Sequence, residues 1–558
     1  MKKILKKIFL FCAIDCIVLI TAVQAQTAIP SELYKDLAFK MPVIKLPVFP
    51  KTKVNIAEFG AVGDGVFDNT KAIADAIESI SKKGGGTVII PEGIWLTGPV
   101  VFKNNINLHL DEGALLLFSA DKSKYPIIST SFEGLDTRRC QSPVSGRNLK
   151  NVAITGNGVI DGNGDAWRAV KKDKLTDSQW KQLVKSGGIL NDKGNTWYPS
   201  ESFKKGSENV IDQNVPNVND EAGWQAIKDF LRPVMISFVS CKNVLLDGVT
   251  FQNSPAWNIH PLMCENVILT NLTVRNPWYS QNGDGLDLES CKNAVIYKCN
   301  FDVGDDAICI KSGKNEDGRK RGIPCENVIV SECIVYHGHG GFTVGSEMSG
   351  GVRNFDVSKC LFIGTDVGLR FKSTRGRGGV VENIYIRDIN MLNIPYDAIL
   401  FDLYYGGKSA SETEGDDNSE AQNKIPPVTE ETPAFKNIYI KDIVCNGALR
   451  AMYFNGLPEM NLKNINVANS TFATTGGVDI RESDEVKLNN VILNVSSGPA
   501  VKLYNVRNVS LNKVSSTKNE ENILKVDGKT SSNIVLQNTG FKKENIQSSV
   551  GEGIILLK

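Results

Sequence analysis

One short pattern returns along most of the chain, an Asn that opens a brief run rich in Val and Ile. It stands at Asn243, Asn266, Asn293, Asn327, Asn354 and Asn383, and again at Asn437, Asn464, Asn508 and Asn533. From Asn243 to Asn383 the steps are 23, 27, 34, 27 and 29 residues. A period in this range, with no helical pattern inside it, builds a β-solenoid, in which each repeat buries its apolar face only against its neighbours. Short strands at this spacing also suit a β-sandwich, but the fixed internal motif favours the solenoid.

Cysteines follow the same frame. Cys241, Cys264, Cys291 and Cys325 each precede the repeat Asn by two residues, and Cys299, Cys333 and Cys360 follow it by six. Stacked coils produce such columns. The expected role is filling the coil interior as small apolar side chains, although export would also permit disulfides. No zinc-type ligand spacing is present. The 50 glycines among 558 residues fit a turn-rich β protein. Lys plus Arg is 63 and Asp plus Glu is 62, so net charge points to neither nucleic acid nor an anionic membrane. Attraction to a charged substrate has to be local.

At the N-terminus, basic residues precede an apolar run and then Val23-Gln24-Ala25. This predicts a signal peptide over residues 1–25 and an exported product, periplasmic or extracellular, with a membrane anchor as the alternative. No later stretch is apolar for the length of a span. Residues 26–110 read as an N-terminal segment with first strands and one capping helix. Asp68 or Asn69 caps that helix, Ile73, Ile77 and Ile80 share its face, and Gly84 to Gly86 end it. Residues 111–558 read as the coil domain. Two insertions break the repeat, a polar, weakly helical one near 168–229 and an acidic one near 406–433. Insertions of this length are lids, binding elements or, for the second, disorder.

Three repeats align without a gap from their Asn: NAVIYKCNFDVGDDAICIKS, NVIVSECIVYHGHGGFTVGS and NFDVSKCLFIGTDVGLRFKS. Alternation turns Ile308 and Ile310, Phe342 and Val344, and Leu369 and Phe371 inward. It turns Cys309 and Lys311, Thr343 and Gly345, and Arg370 and Lys372 outward. Asp305, His339 and Asp366 fall in one column, and Asp306 in the next with Gly340 and Val367. Matching Leu286 and Leu288 to Ile308 and Ile310 puts Asp284 in the column of Asp306. With coils roughly 4.8 Å apart, Asp284, Asp305, Asp306, His339, Arg370 and Lys372 should form one patch. Close carboxylates repel, so at least one holds its proton more tightly and another stays ionised, the mixture general acid/base work needs. Arg370 and Lys372 suit a substrate carboxylate.

These residues resemble glycoside hydrolase family 28, the polygalacturonases and their relatives, over about Val54 to Asn464. The family's four motifs stand as Asn282-Gly283-Asp284, Gly304-Asp305-Asp306, Gly338-His339-Gly340 and Arg370-Phe371-Lys372. The resemblance implies an all-β, right-handed parallel β-helix and metal-free, cofactor-free, inverting hydrolysis of α-linked galacturonic acid in pectin, with the protein a monomer. Two carboxyls about 6.5–9.5 Å apart, with a water between, are the usual inverting arrangement. By carry-over Asp306 is the general acid, Asp284 and Asp305 activate water, His339 positions them, Arg370 and Lys372 hold the sugar carboxylate, and Asn282 binds or orients. Gly283 replaces the Thr of many relatives.

Trp257 and His260 line a sugar subsite or close a coil turn. Tyr404 and Tyr405 border the cleft. Arg375 and Arg377 extend the basic side or are simply solvated, and His109 is structural. The two insertions favour exo action by walling one end of the cleft. Competing functions are a rhamnogalacturonan galacturonohydrolase on the same fold, a polysaccharide lyase, and a non-catalytic carbohydrate-binding β-helix.

Overall fold

The computed structural model describes residues 29–406, 425–516 and 523–558. The expected leader at 1–25 and most of the acidic insertion near 406–433 lie outside the described residues. The chain divides into two units, Met1–Asp36 and Leu37–Lys558. In the first, the described residues hold one 3-10 turn, Ser31–Tyr34. The second holds the coils and the candidate site.

Within the coils of the second unit, a strand pairs in parallel with the strand one coil before it and the strand one coil after. Lys292–Tyr297 lies between Glu265–Thr270 and Cys325–Ser331. Asn300–Asp302 lies between Thr273–Arg275 and Ile334–His337. Ile308–Lys311 lies between Leu286–Glu289 and Gly340–Val344. Three such columns wind into a right-handed parallel β-helix. Its interior is one continuous apolar core, in which Ile308, Ile310, Phe342, Val344, Leu369 and Phe371 are all fully buried.

The repeat Asn has a backbone reason and a side-chain reason. Asn243, Asn266, Asn293, Asn327 and Asn354 all have φ between 58° and 62°, the left-handed region Asn tolerates better than most residues. Their amides also form a ladder along the coils: Asn293 Nδ2 donates to Asn266 Oδ1 at 3.3 Å and Asn327 Nδ2 donates to Asn293 Oδ1 at 3.1 Å. Asn293→Ala loses both bonds and forces Ala into the left-handed region, so it should destabilise by about 2–4 kcal/mol. Asn293→Gly keeps the backbone and should lose about half of that. Urea denaturation checks the pair, and equal losses would show that backbone conformation plays no part. The cysteine columns are buried, and all ten cysteines among the described residues are free thiols.

The first coil is covered by the helix Thr70–Ser81, whose Ala72, Ile73, Ala76, Ile77 and Ile80 are buried in the common core. Asp68 caps it, accepting from Thr70 N–H at 3.0 Å. Asn69 does not; its amide is spent on Val62, Phe67 and Leu96 of the preceding loop and first coils. The 168–229 insertion folds into helices Asp177–Lys185, Glu201–Asn209 and Glu221–Ala226 and a three-stranded sheet. An antiparallel hairpin, Ile127–Phe132 with Leu135–Cys140, leaves the coils just before the strand Val144–Arg147. No helix among the described residues is long and apolar enough to cross a membrane.

Candidate active site

The two adjacent aspartates sit in the bend just before strand Ile308–Lys311, where the pleat's alternation does not yet apply. Neighbouring coils clamp that bend: Gly285 N–H donates to Asp306 O at 3.0 Å and His339 N–H donates to Asp305 O at 2.9 Å. Leu286 pairs with Ile308 and Phe342 with Leu369. Asp284 therefore falls beside Asp306, and His339 between Asp305 and Asp366, as the alignment predicts. One carboxylate oxygen from each of Asp284, Asp305 and Asp306 lies within 4.8 Å of the others. Coil stacking sets this spacing.

The two neighbours face different partners. Asp305 is a quarter exposed; its Oδ1 lies 3.0 Å from His339 Nδ1 and also accepts from Asp306 N–H at 3.0 Å. Asp306 is buried. Its Oδ1 accepts from Arg370 Nη1 and Thr343 Oγ1, both at 3.0 Å, and its Oδ2 accepts from Lys372 Nζ at 2.8 Å. Arg370 and Lys372 thus hold Asp306 beneath the ring of Tyr405, which lies 4.8 Å from Lys372 Nζ.

Asp284 has a different environment. It is 3% exposed, and its Oδ1 has no protein hydrogen bond. Below it lies Asp287, fully buried, with Lys311 Nζ 3.5 Å away. Burial first, then the charges of Asp287 and Asp305, push the Asp284 carboxyl well above the usual carboxylate range. Burial pushes Asp287 up as well, against the pull of Lys311. Burial opposes ionisation of Asp306 too, but Lys372, Arg370 and Lys311 together outweigh it and hold that group far below the usual range. Asp284 therefore holds a proton far more tightly than Asp306 does. His339 is raised, first by its hydrogen bond to Asp305. Removing that carboxylate in Asp305→Asn should lower the His339 ring titration seen by NMR, and an unchanged titration would sever the link. Asp284, Asp287 and Cys309 also approach within 4.8 Å, but burial keeps the Cys309 thiol protonated, which makes it a poor metal ligand.

Further along this face the carboxylates are closed in. Glu289 is bonded to His260 at 2.8 Å and Arg321 at 3.2 Å, and Lys311 reaches Glu347 at 3.0 Å. Three expected binding residues are corrected here. Trp257 and His260 are each only 1% exposed. Phe132 of the hairpin stacks on Trp257 at 5.7 Å, and Lys311 Nζ packs 4.4 Å from the centre of the Trp257 ring. Both residues are packed beneath other side chains. Tyr404 packs on the apolar core and against Arg375, which grips Glu459; Tyr405, next to it, faces the cations. Arg377 is committed to Glu347 at 3.7 Å. Asn282 does sit at the site, accepting from Arg232 at 2.9 Å and donating to Glu133 at 3.1 Å. His109 bonds Thr155 at 2.9 Å, well outside it. Asp287 was missed, although the alternation that turns Leu286 and Leu288 inward turns it outward beneath Asp284.

Residues 182–417 match the model of glycosyl hydrolases family 28, and residues 53–115 match that of rhamnogalacturonase A/epimerase, pectate lyase-like. The chain is 29% identical over 427 residues to a probable polygalacturonase of Vitis vinifera, covering 75% of this chain and 73% of that one. It is 27% identical over 368 residues to an exo-poly-alpha-D-galacturonosidase of Dickeya chrysanthemi, covering 64% of this chain and 58% of that one. The structure of a hyperthermoactive exopolygalacturonase from Thermotoga maritima superimposes with TM-score 0.60 at 29% identity, over 88% of this chain and 94% of that one. The chain is a glycoside hydrolase, similar to family 28 over residues 182–417 and to polygalacturonases over most of its length.

Proposed function

We propose that the protein hydrolyses α-linked galacturonic acid in pectin from a chain end, with inversion, by general acid/base catalysis. The observation that carries this is the pairing of Asp306 with Arg370 and Lys372 beside a protonated Asp284. A galacturonate carboxylate competes with Asp306 for those two cations. As they turn to the sugar, Asp306 loses the charges that keep it ionised, and the trio's single proton moves from Asp284 to Asp306. Asp306 then gives that proton to the leaving glycosidic oxygen while the C1–O bond breaks. Water attacks C1 and loses a proton to Asp284, with Asp305 holding the water. The cycle ends with the proton on Asp284 and Asp306 ionised, which is the free protein's state. His339 holds Asp305 in place.

Exo action is supported by the 168–229 insertion, which supplies Lys171, Lys174 and Gln213 to the cavity beside Asp305. The hairpin roof over Trp257 supports it as well. A polymeric substrate fits an exported protein, with its leader in residues 1–25. Incubation with polygalacturonate should release one short product without a ladder of intermediate oligomers, and NMR should show the β-anomer first. A ladder sinks the exo reading, and first-formed α-anomer sinks inversion. Release from rhamnogalacturonan but not from polygalacturonate transfers the reading to the galacturonosyl-rhamnose bond.

A further inference from the structure

A second layer of charge lies under the three carboxylates, and no step of the proposed reaction uses it. The pleat turns Asp287 and Glu289 of one coil, and Cys309 and Lys311 of the next, onto the same outer face. Asp287 and Glu289 are fully buried and Lys311 is 4% exposed. Lys311 Nζ lies 3.0 Å from Glu347 and 3.5 Å from Asp287. Neither Asp287 oxygen accepts a well-aligned hydrogen bond, so Lys311 is what supports a charge there.

Lys311 is held from several sides. The Trp257 ring lies 4.4 Å from its ammonium. Glu347, on the loop after strand Gly340–Val344, is faced in turn by Arg377 at 3.7 Å, and Lys372 and Lys314 add positive charge around it. Glu289, beside Lys311 on the coil before, is taken up by His260 at 2.8 Å and by Arg321 of the helix Asn315–Arg321 at 3.2 Å. Burial works against the Lys311 charge, but Cys309, Glu347 and Asp287 outweigh it and hold the ammonium well above its ordinary range. Its field reaches the reacting carboxyls: it opposes the rise at Asp284 and adds to the fall at Asp306. Arg370 and Lys372 turn to the sugar in the proposed cycle, whereas a buried ammonium gripped by Glu347 stays where it is.

We infer that Lys311 is a positioning residue for the reaction, a fixed cation beneath Asp284 and Asp306 that sets how many protons the carboxyls hold together at working pH. Arg370 and Lys372 then decide which carboxyl holds them. The inference rests on the general acid/base reading above and names the group that tunes it. Lys311 acts through the carboxyls, not on the sugar. The two limbs of a bell-shaped kcat/KM profile report the coupled carboxyls of the free protein. Removing a nearby cation disfavours every ionised form, so both limbs move up.

The pH profile of kcat/KM on trigalacturonate is the test. Lys311→Met should move both limbs up by about one pH unit, and Lys311→Arg should leave them where the parent has them. Glu347→Gln strips the counter-charge but keeps the ammonium, so it should move them down. Lys311→Met with Glu347→Gln removes the two charges as a pair, which a fold tolerates better than the loss of one partner. It should keep the upward shift, because Lys311, not Glu347, stands against Asp287. Variants that lose rate with an unmoved profile overturn the inference, make Lys311 a structural residue and leave the general acid/base reading standing. For a variant too slow to assay, the infrared band of the protonated carboxyls, titrated over the same range, reads the shift without turnover. An unmoved band overturns the inference equally. A parent whose rate follows no carboxyl titration overturns both.

Discussion

Asp306→Asn should reduce hydrolysis by about 10²- to 10⁴-fold, the usual contribution of a positioned general acid, and should also destabilise the fold. Arg370 and Lys372 meet at this carboxylate with distances of 3.0 and 2.8 Å, and Lys372 is only 7% exposed. The amide keeps the shape but removes the charge, leaving two cations in a buried place without a counter-charge. Breaking a buried pair in this way costs about 3–5 kcal/mol. The pH dependence has a definite sign. Asp306 is held far below its unfolded range, so its stabilisation is present above the ordinary carboxylate pKa of about 3.9 and is lost as pH falls below it. The stability gap between parent and variant should therefore close in acid. Thermal denaturation from pH 7 down to pH 3, with activity assayed alongside, measures both effects. An Asp306→Asn protein as stable as the parent at pH 7 would mean that the two cations are not paired to Asp306 in solution.

Asp284→Asn should reduce activity to a similar extent and cost no stability. Burial raises its carboxyl's pKa well above the usual carboxylate range, and an amide is close in size and charge to the neutral carboxyl this favours. Here the sign reverses. A carboxyl whose folded pKa is raised weakens the fold as pH climbs above about 3.9, because only the unfolded chain releases the proton. The Asp284→Asn variant escapes that penalty, so its stability relative to the parent should rise with pH. Two inactive variants with opposite stability profiles would locate the resting proton on Asp284. If Asp284→Asn is the unstable variant and Asp306→Asn the stable one, the proton assignment is the wrong way round, and the proton cycle proposed here fails with it.

Much of the site can be read by counting from the repeat Asn, because stacked coils turn sequence offset into position. The residues twelve and thirteen after Asn293 and Asn327 lie side by side on adjacent coils, and Asp284 joins them once Leu286 is matched to Ile308. The aromatic candidates were misplaced for a different reason. The local pattern around Trp257 and His260 carries no information on what covers them. The cover of Trp257 is Phe132, brought by a hairpin from a much earlier part of the chain. Tyr404 and Tyr405 are neighbours, and only the fold separates the one on the core from the one over Lys372. Lys171, Lys174 and Gln213 sit outside any repeat, so no column pointed to them.

The path of the coils, the columns they form and the membership of the carboxylate cluster follow from the amino-acid order alone, since strand alternation and a coil spacing of roughly 4.8 Å are local rules. The division of labour within the cluster required the tertiary structure. Asp284 and Asp306 lie in the same column and are both buried, yet one is pushed above the usual carboxylate range and the other is held below it. The difference is that Asp306 meets Arg370 and Lys372 from later coils, whereas Asp284 meets Asp287. Desolvation and charge depend on the whole surrounding volume, and segments far apart in the sequence supply it.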